Sequence, residues 1–281
     1  MTDEKNVERI LSLRDYSRGI PVIFFVFCVL SCAWVSQAEA SFIKFSTTLS
    51  AKVEGDSLSI SIATTNKGDE SAFNVQAELI AGEQNVTAEK MPELRVNETY
   101  KIENRLKLAV NKKGLYPLIL ILHYTDANQY PFSALSCQTY DIGKASVSTV
   151  IGQIKSVKIS QKGKVTLALK NSGDMPVTAK TRLVAPRELT VEEKEKDITL
   201  PPKSDKEISF AVENFSALAG STYQVFAVTE FDAKDEHQTV ISAGTIEVEK
   251  GREILGMNYI IIIVAVILLA LIFIVVQFKR K

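Results

Sequence analysis

Beyond Ser41 the chain is built from short stretches in which every second residue is apolar. Leu58-Ser59-Ile60-Ser61-Ile62, Val75-Gln76-Ala77-Glu78-Leu79 and Val165-Thr166-Leu167-Ala168-Leu169 all follow this rule. Period two puts the apolar side chains on one face of a strand and the polar ones on the other, as in a half-buried sheet. Leu118 to Leu122 is continuously apolar, which predicts a strand in the middle of a sandwich core. Turn residues separate these runs at Glu54-Gly55-Asp56, Lys67-Gly68-Asp69, Lys113-Gly114 and Gly173-Asp174. No stretch of this region sustains a helical period over a dozen residues, so it reads as nearly all β.

Two longer apolar runs obey neither rule. Tyr259 to Val276 carries no charge and is mostly Ile, Leu and Val. At a helical rise it reaches roughly 27 Å, close to the thickness of a bilayer's hydrocarbon core. We expect a transmembrane helix over 257–278. The basic tail that follows, Lys279-Arg280-Lys281, is expected in the cytoplasm, since basic flanks favour that side. Near the other end, Ile20 to Val35 follows a charged stretch and leads to Ala38-Glu39-Ala40, small residues where a signal peptidase needs them. Residues 1–40 are therefore expected to be a signal peptide, with an uncleaved anchor as the alternative. Either way residues 41–252 lie outside the cytoplasm. Cys32 is a weaker lipoprotein candidate, because bulky Leu30 stands where a small residue is usual.

An internal repeat organises the part between. Asn66-Lys67-Gly68-Asp69 recurs as Asn171-Ser172-Gly173-Asp174, 105 residues later. Leu94, Ile102, Gly114 and Asp126 recur in the same order as Leu200, Ile208, Gly220 and Asp232, at 106. That period is too long for a solenoid unit and close to one immunoglobulin-like sandwich. The expected domains are 41–146 and 147–252. In each N-x-G-D turn, Gly is expected to supply a positive φ and Asn or Asp to cap locally.

A strand, then N-x-G-D, then a second alternating strand resembles the cell-adhesion-related (CARDB-like) modules of bacterial and archaeal envelope proteins. Asn66, Gly68, Asp69, Ala72, Asn74 and Val75 carry the likeness in the first repeat, and Asn171, Gly173 and Asp174 in the second. The resemblance implies a seven-stranded immunoglobulin-like fold and an envelope setting. It carries no activity with it, because this architecture hosts many functions.

Charge narrows the choice of partners. Ser41 to Leu255 holds 26 Lys and Arg against 28 Asp and Glu, a net charge of −2, which argues against nucleic acid as a partner. The run Glu192-Glu193-Lys194-Glu195-Lys196-Asp197 reads as a solvated loop. Cys137 is the one cysteine outside the apolar ends, so no intramolecular disulfide can form there and stability must come from a packed core.

No catalytic, cofactor-binding or metal-ligating residue is assigned. H-x-x-H, C-x-x-C, G-x-S-x-G and a Gly-rich phosphate loop are all absent from the sequence. His123 reads as a core or strand-edge histidine, and His237 as part of an exposed turn. Asp126 with Asn128, and Asp232 with Asp235 and Glu236, occupy matching loops and would suit calcium, but without D-x-D-x-D-G spacing turn-capping explains them better. Asn85, Asn97 and Asn214 begin glycosylation sequons. Tyr124, Tyr130, Phe132 and Tyr140 could line a carbohydrate or protein site, with core filling as the simpler reading. The sequence predicts a single-pass protein of a bacterial plasma membrane whose ectodomain binds an envelope protein or polysaccharide without catalysis. The alternatives are a passive spacer and a luminal translocon-associated-type subunit.

Overall fold

The computed structural model describes residues 41–108 and 112–249, together with Val264, Leu268 and Leu269, which are helical and exposed. The expected signal (1–40), the rest of the expected span (257–278) and the tail (279–281) lie outside the described residues. Among the described residues no helix is long and apolar enough to cross a membrane.

The chain is mainly β. Its first half runs β1 (Phe45–Glu54), β2 (Ser57–Asn66), β3 (Ala72–Ala81), β4 (Gln84–Thr87), β5 (Met91–Leu94), β6 (Thr99–Lys107), β7 (Gly114–Thr125) and β8 (Pro131–Ile142). The second runs β9 (Val150–Lys155), β10 (Val157–Ile159), β11 (Lys162–Asn171), β12 (Val177–Val184), β13 (Leu189–Val191), β14 (Glu195–Leu200), β15 (Ser204–Asn214), β16 (Thr222–Ala233) and β17 (Glu236–Val248). In the first half, sheet β1-β2-β6 faces a sheet in which β7 lies between β3 and β8, while β4 and β5 edge β3. In the second, sheet β13-β15-β11-β9 faces β14-β12-β16-β17, with β10 beside β17.

The alternating residues do what their spacing predicts. Leu58, Ile60 and Ile62 of β2 pack with Val75, Ala77 and Leu79 of β3 in one core; Val165, Leu167 and Leu169 of β11 belong to a second core. The repeat extends to strand register. Ile62 pairs with Ile102 as Leu167 pairs with Ile208, and Ala72 pairs with Leu94 as Val177 pairs with Leu200.

Leu118–Leu122 is apolar throughout for a reason beyond its own core. Leu118, Leu120 and Leu122 face the first core, whereas Ile119 and Ile121 face outward into a third cluster with Val184, Phe226 and Val228 of the second half. The outer face of one half thus packs on the outer face of the other. A strand buried on both faces loses the period-two signal. One backbone ladder also crosses the junction, where β17 meets β7 at His237 and Gly114.

The charged run at 192–197 is only partly a loop. Residues Glu195–Asp197 begin β14, an edge strand paired with β12, and their charges suit an exposed edge.

Candidate functional site

The repeated asparagines are buried clamps. Asn66 and Asn171 are both fully buried. Asn66 Nδ2 donates to the carbonyls of Glu70 (2.7 Å) and Leu94 (3.2 Å), and its Oδ1 accepts from Gly68 N at 3.0 Å. Asn171 does the same with Met175, Leu200 and Gly173, at 2.8, 3.3 and 2.9 Å, and donates in addition to the Pro201 carbonyl at 3.0 Å. Each carboxamide therefore ties its own turn to the strand entering from 28 or 29 residues downstream. The adjacent glycines do not hold a positive φ, contrary to expectation. Gly68 is required by close approach, since a Cβ there would overlap the Phe42 backbone; Gly173 is more relaxed, its nearest neighbours being side-chain atoms of Asn171 and Thr149 at 3.1 Å.

The junction between the halves gathers most of the remaining polar residues of interest. At one end the buried Glu188 carboxylate accepts from Ser133 N (2.9 Å) and Ser133 Oγ (2.8 Å), and Tyr130 Oη donates to the Ser216 carbonyl at 2.7 Å. At the other, Glu236 accepts from Lys113 at 2.7 Å and from Ser146 N at 2.9 Å. Lys113 beside it, with the Ser146 donors, holds the Glu236 carboxyl down at about 2.

His237 is not in an exposed turn. It lies in β17 with its ring stacked on Tyr116 at 4.4 Å. Its Nε2 lies 3.3 Å from Glu230 and its Nδ1 3.1 Å from Asp232, and these carboxylates raise its pKa. Gly114, opposite it, has φ +144°, and a Cβ there would overlap the His237 backbone. Sequence patterning gave no sign of this contact, because neither residue type marks a junction.

The other candidates separate. His123 bonds Glu78 at 2.7 Å across β7 and β3, and this lowers the Glu78 pKa. Cys137 is part-buried in the junction cluster, where desolvation pushes its thiol up to about 12, far from a reactive thiolate. Tyr124, Tyr130 and Phe132 form one aromatic group, with centroids 5.1 to 5.5 Å apart, while Tyr140 stacks with Tyr116 elsewhere. Asp126 closes its turn by accepting from Tyr130 N at 2.8 Å, and Asp232 pairs with Lys112 at 2.9 Å. Among the described residues no three His, Cys, Asp or Glu side chains are placed to hold a metal. Asn85 and Asn97 are exposed, whereas the Asn214 carboxamide caps the following loop at Ala217 N, 2.7 Å away.

A groove of about 730 Å³ lies on the flank of the first half. Its walls are the segment 87–92, leading into β5, and residues 99–104 of β6. Both walls end in sheet edges, because β6 pairs only with β2 and β5 only with β3. Inside, Tyr100, Ile102, Met91 and Pro92 supply apolar surface; Glu89, Lys90, Lys101 and Glu103 are also in the lining. The Tyr100 hydroxyl donates to the Glu89 carbonyl, so one hydrogen bond already ties the two walls at the groove floor. Periodicity did not reveal the groove, which arises from how two strands end.

No family model matches this chain, and no curated protein matches it. Among solved structures it is similar to red sea bream transglutaminase (TM-score 0.30, 14% identity, covering 76% of this chain and 32% of that one). It is also similar to native E. coli α-2-macroglobulin (0.29, 10%, 73% and 17%) and to a protein of unknown function from Porphyromonas gingivalis W83 (0.24, 12%, 70% and 98%). The chain thus spans about a third of the transglutaminase and less of the macroglobulin. At these scores none of them carries an activity over to it.

Proposed function

We propose that this protein is a membrane-anchored, extracytoplasmic binding and scaffold protein of the cell envelope. It is built from two tandem immunoglobulin-like sandwiches (41–146 and 147–252) of the adhesion-related kind. It holds a protein or polysaccharide partner near the membrane as a subunit of an export or assembly complex. The observation that carries this reading is the edge-bounded groove on the first half, a concave site of ligand-binding size with apolar and polar groups converging on it. Apolar runs at 20–35 and 259–276 support the topology. The Cys137 thiol, held protonated by its burial in the junction, supports a non-catalytic role for that residue.

The junction favours one second reading, that of a spacer. Two sandwiches joined by an apolar cluster and by polar clamps at both ends, one of them buried, would hold a fixed distance from the membrane better than two linked by a flexible tether.

Crosslinking the full-length protein in its native membrane, followed by mass spectrometry of what it retains, tests the choice. A stoichiometric partner supports the binding module. A bait that comes back alone refutes it and leaves the spacer.

A further inference from the structure

The two halves share most of their strand register and part company at two places: β10 turns to β17 where the matching end of β1 stays with β2, and a second strand changes sheets. At the repeat offset, β4 corresponds to β13. In the first half β4 folds back on β3, pairing Ala81 with Gln84 and Leu79 with Val86. In the second, β13 crosses to the opposite sheet and pairs with β15, Leu189 against Asn214 and Val191 against Val212. The corresponding edge of the first half, β6, receives no strand.

The core beneath that edge differs in step. Asn104 pairs with Ile60 just as Phe210 pairs with Val165, so the two occupy the same place in the repeat. Phe210 is fully buried and fills the flank of the second core, with Lys196 over its ring at 5.7 Å. Asn104 is shorter and polar, and it lines the groove. The groove residues 99–104 match 205–210 of the second half, where Phe210 fills the flank, and β13 pairs just beyond them, at 212–214.

We infer that the β6 edge accepts an added strand: an extended segment of a partner protein, antiparallel to β6, with alternate apolar side chains turned into the groove beside Tyr100, Ile102 and Asn104. This rests on the binding-module reading and names the class of partner. The occupant's chemistry is taken from β13, whose Leu189 and Val191 are buried while Thr190 between them is exposed. Strand addition draws affinity from main-chain hydrogen bonds along an open edge and specificity from pockets for alternate side chains, and both are present here. A peptide fits better than a polysaccharide. The groove's one aromatic ring, Tyr100, is buried and its hydroxyl is already bonded, so no open face is offered for a sugar to stack on.

The test uses full-length protein in lipid nanodiscs. The probe is a short labelled peptide of alternating Val and Thr with a Lys at each end, followed by fluorescence anisotropy. Wild type should bind it, and a version with Pro at alternate positions should bind at least about tenfold more weakly, because Pro removes the N–H groups that pair with an edge. Asn104→Phe, which copies the second half, should lose binding by a similar factor while its thermal midpoint stays level or rises. Asn104→Leu gives a second, smaller filling variant should Phe prove too large.

Several outcomes would overturn the inference. Equal binding by Asn104→Phe or Asn104→Leu places the peptide elsewhere. Binding of neither peptide, or equal binding of both, refutes strand addition. Capture of an oligosaccharide that Asn104→Phe blocks makes the groove a sugar site. Self-association that Asn104→Phe abolishes gives the edge to a second copy of this chain. In the native-membrane pull-down, a partner kept equally by wild type and Asn104→Phe would sink the groove and spare the binding module, whereas no partner with wild type would sink the module itself.

Discussion

The two halves of this protein share one plan, and the divergence that shapes their surfaces comes where the chain leaves β3 in one and β12 in the other. In the first, Ala81-Gly82-Glu83-Gln84 makes a two-residue turn, Gly82 takes φ +59°, and β4 returns along β3. In the second, Pro186 stands where the first half has Ala81. Proline has no N–H to give a ladder, so β12 stops at Val184 and the chain crosses to β15. The crossing has two effects. It covers part of the β15 edge, and it delivers Glu188 to the junction, where Ser133 of the first half bonds it through both N–H and hydroxyl. One half thus gains a strand over the end of its edge and a clamp, and the other keeps its whole edge open. Near-identical strand frameworks can carry different surfaces when a single turn sends a strand to the other sheet.

The sharpest way to break this asymmetry is to exchange what fills the flank. Phe210→Asn should unseal the second half, leaving a cavity and a buried amide; we expect a loss of about 3–5 kcal/mol, read from denaturant unfolding. A loss below about 1 kcal/mol would mean that Phe210 does not seal that flank.

Next in size is the junction. Gly114→Val meets two obstacles at once, a φ of +144° that a β-branched residue rarely adopts and a backbone clash with His237. We expect about 3 kcal/mol of destabilisation and faster amide exchange on both sides of the β7–β17 contact. Unchanged exchange there would show that the halves do not depend on this approach.

How far the sequence exposed all this depends on the kind of interaction. Alternation revealed Leu58–Ile62 and Val165–Leu169 because one face of each strand is buried and the other is not. It placed Leu118–Leu122 in a core but could not tell that Ile119 and Ile121 bury against a second body, since two buried faces look alike in sequence. The repeat was legible through Asn66 and Asn171, though for another reason than turn capping alone: a buried carboxamide serves two segments at once. Gly68 and Gly173 were rightly placed in turns but wrongly explained, because close approach and positive φ both select glycine. His237 was misplaced because its environment comes from Tyr116, more than a hundred residues away. The groove was illegible, because an edge left open is a property of a partner strand that went elsewhere.

Asn66→Ala and Asn171→Ala test whether the halves are equivalent where they look alike. Asn66→Ala strands two carbonyls and one amide, and Asn171→Ala three carbonyls and one amide, for a loss of about 2 kcal/mol each. Because Asn171 Nδ2 also donates to the Pro201 carbonyl at 3.0 Å, its loss should equal or slightly exceed that of Asn66, and the two should add in the double variant, being far apart with no shared partner. A pronounced difference would show that the junction or the open edge changes what each clamp is worth.

The smallest expected effect is the dependence of the junction on pH. His237 faces Glu230 and Asp232 on β16, Tyr116 on β7, and Lys112 through Asp232. Its pKa is raised in the folded state, first by the Glu230 contact, so its contribution is full below its ordinary value of about 6.5 and is lost as pH rises through the folded value. Glu236 works in the opposite sense. Lys113 holds it at about 2, so its contribution is present above the ordinary carboxylate range and is lost as pH falls through about 2. Both contributions are intact between about pH 4.5 and 6.5, where the junction should be strongest. Thermal midpoints across pH should therefore decline gently on the alkaline side of that window, and His237→Gln should flatten that limb while leaving the acid limb in place. An NMR titration giving His237 a pKa at or below 6.5 would remove the basis for the alkaline limb, and with it the role of this histidine in holding the two halves together.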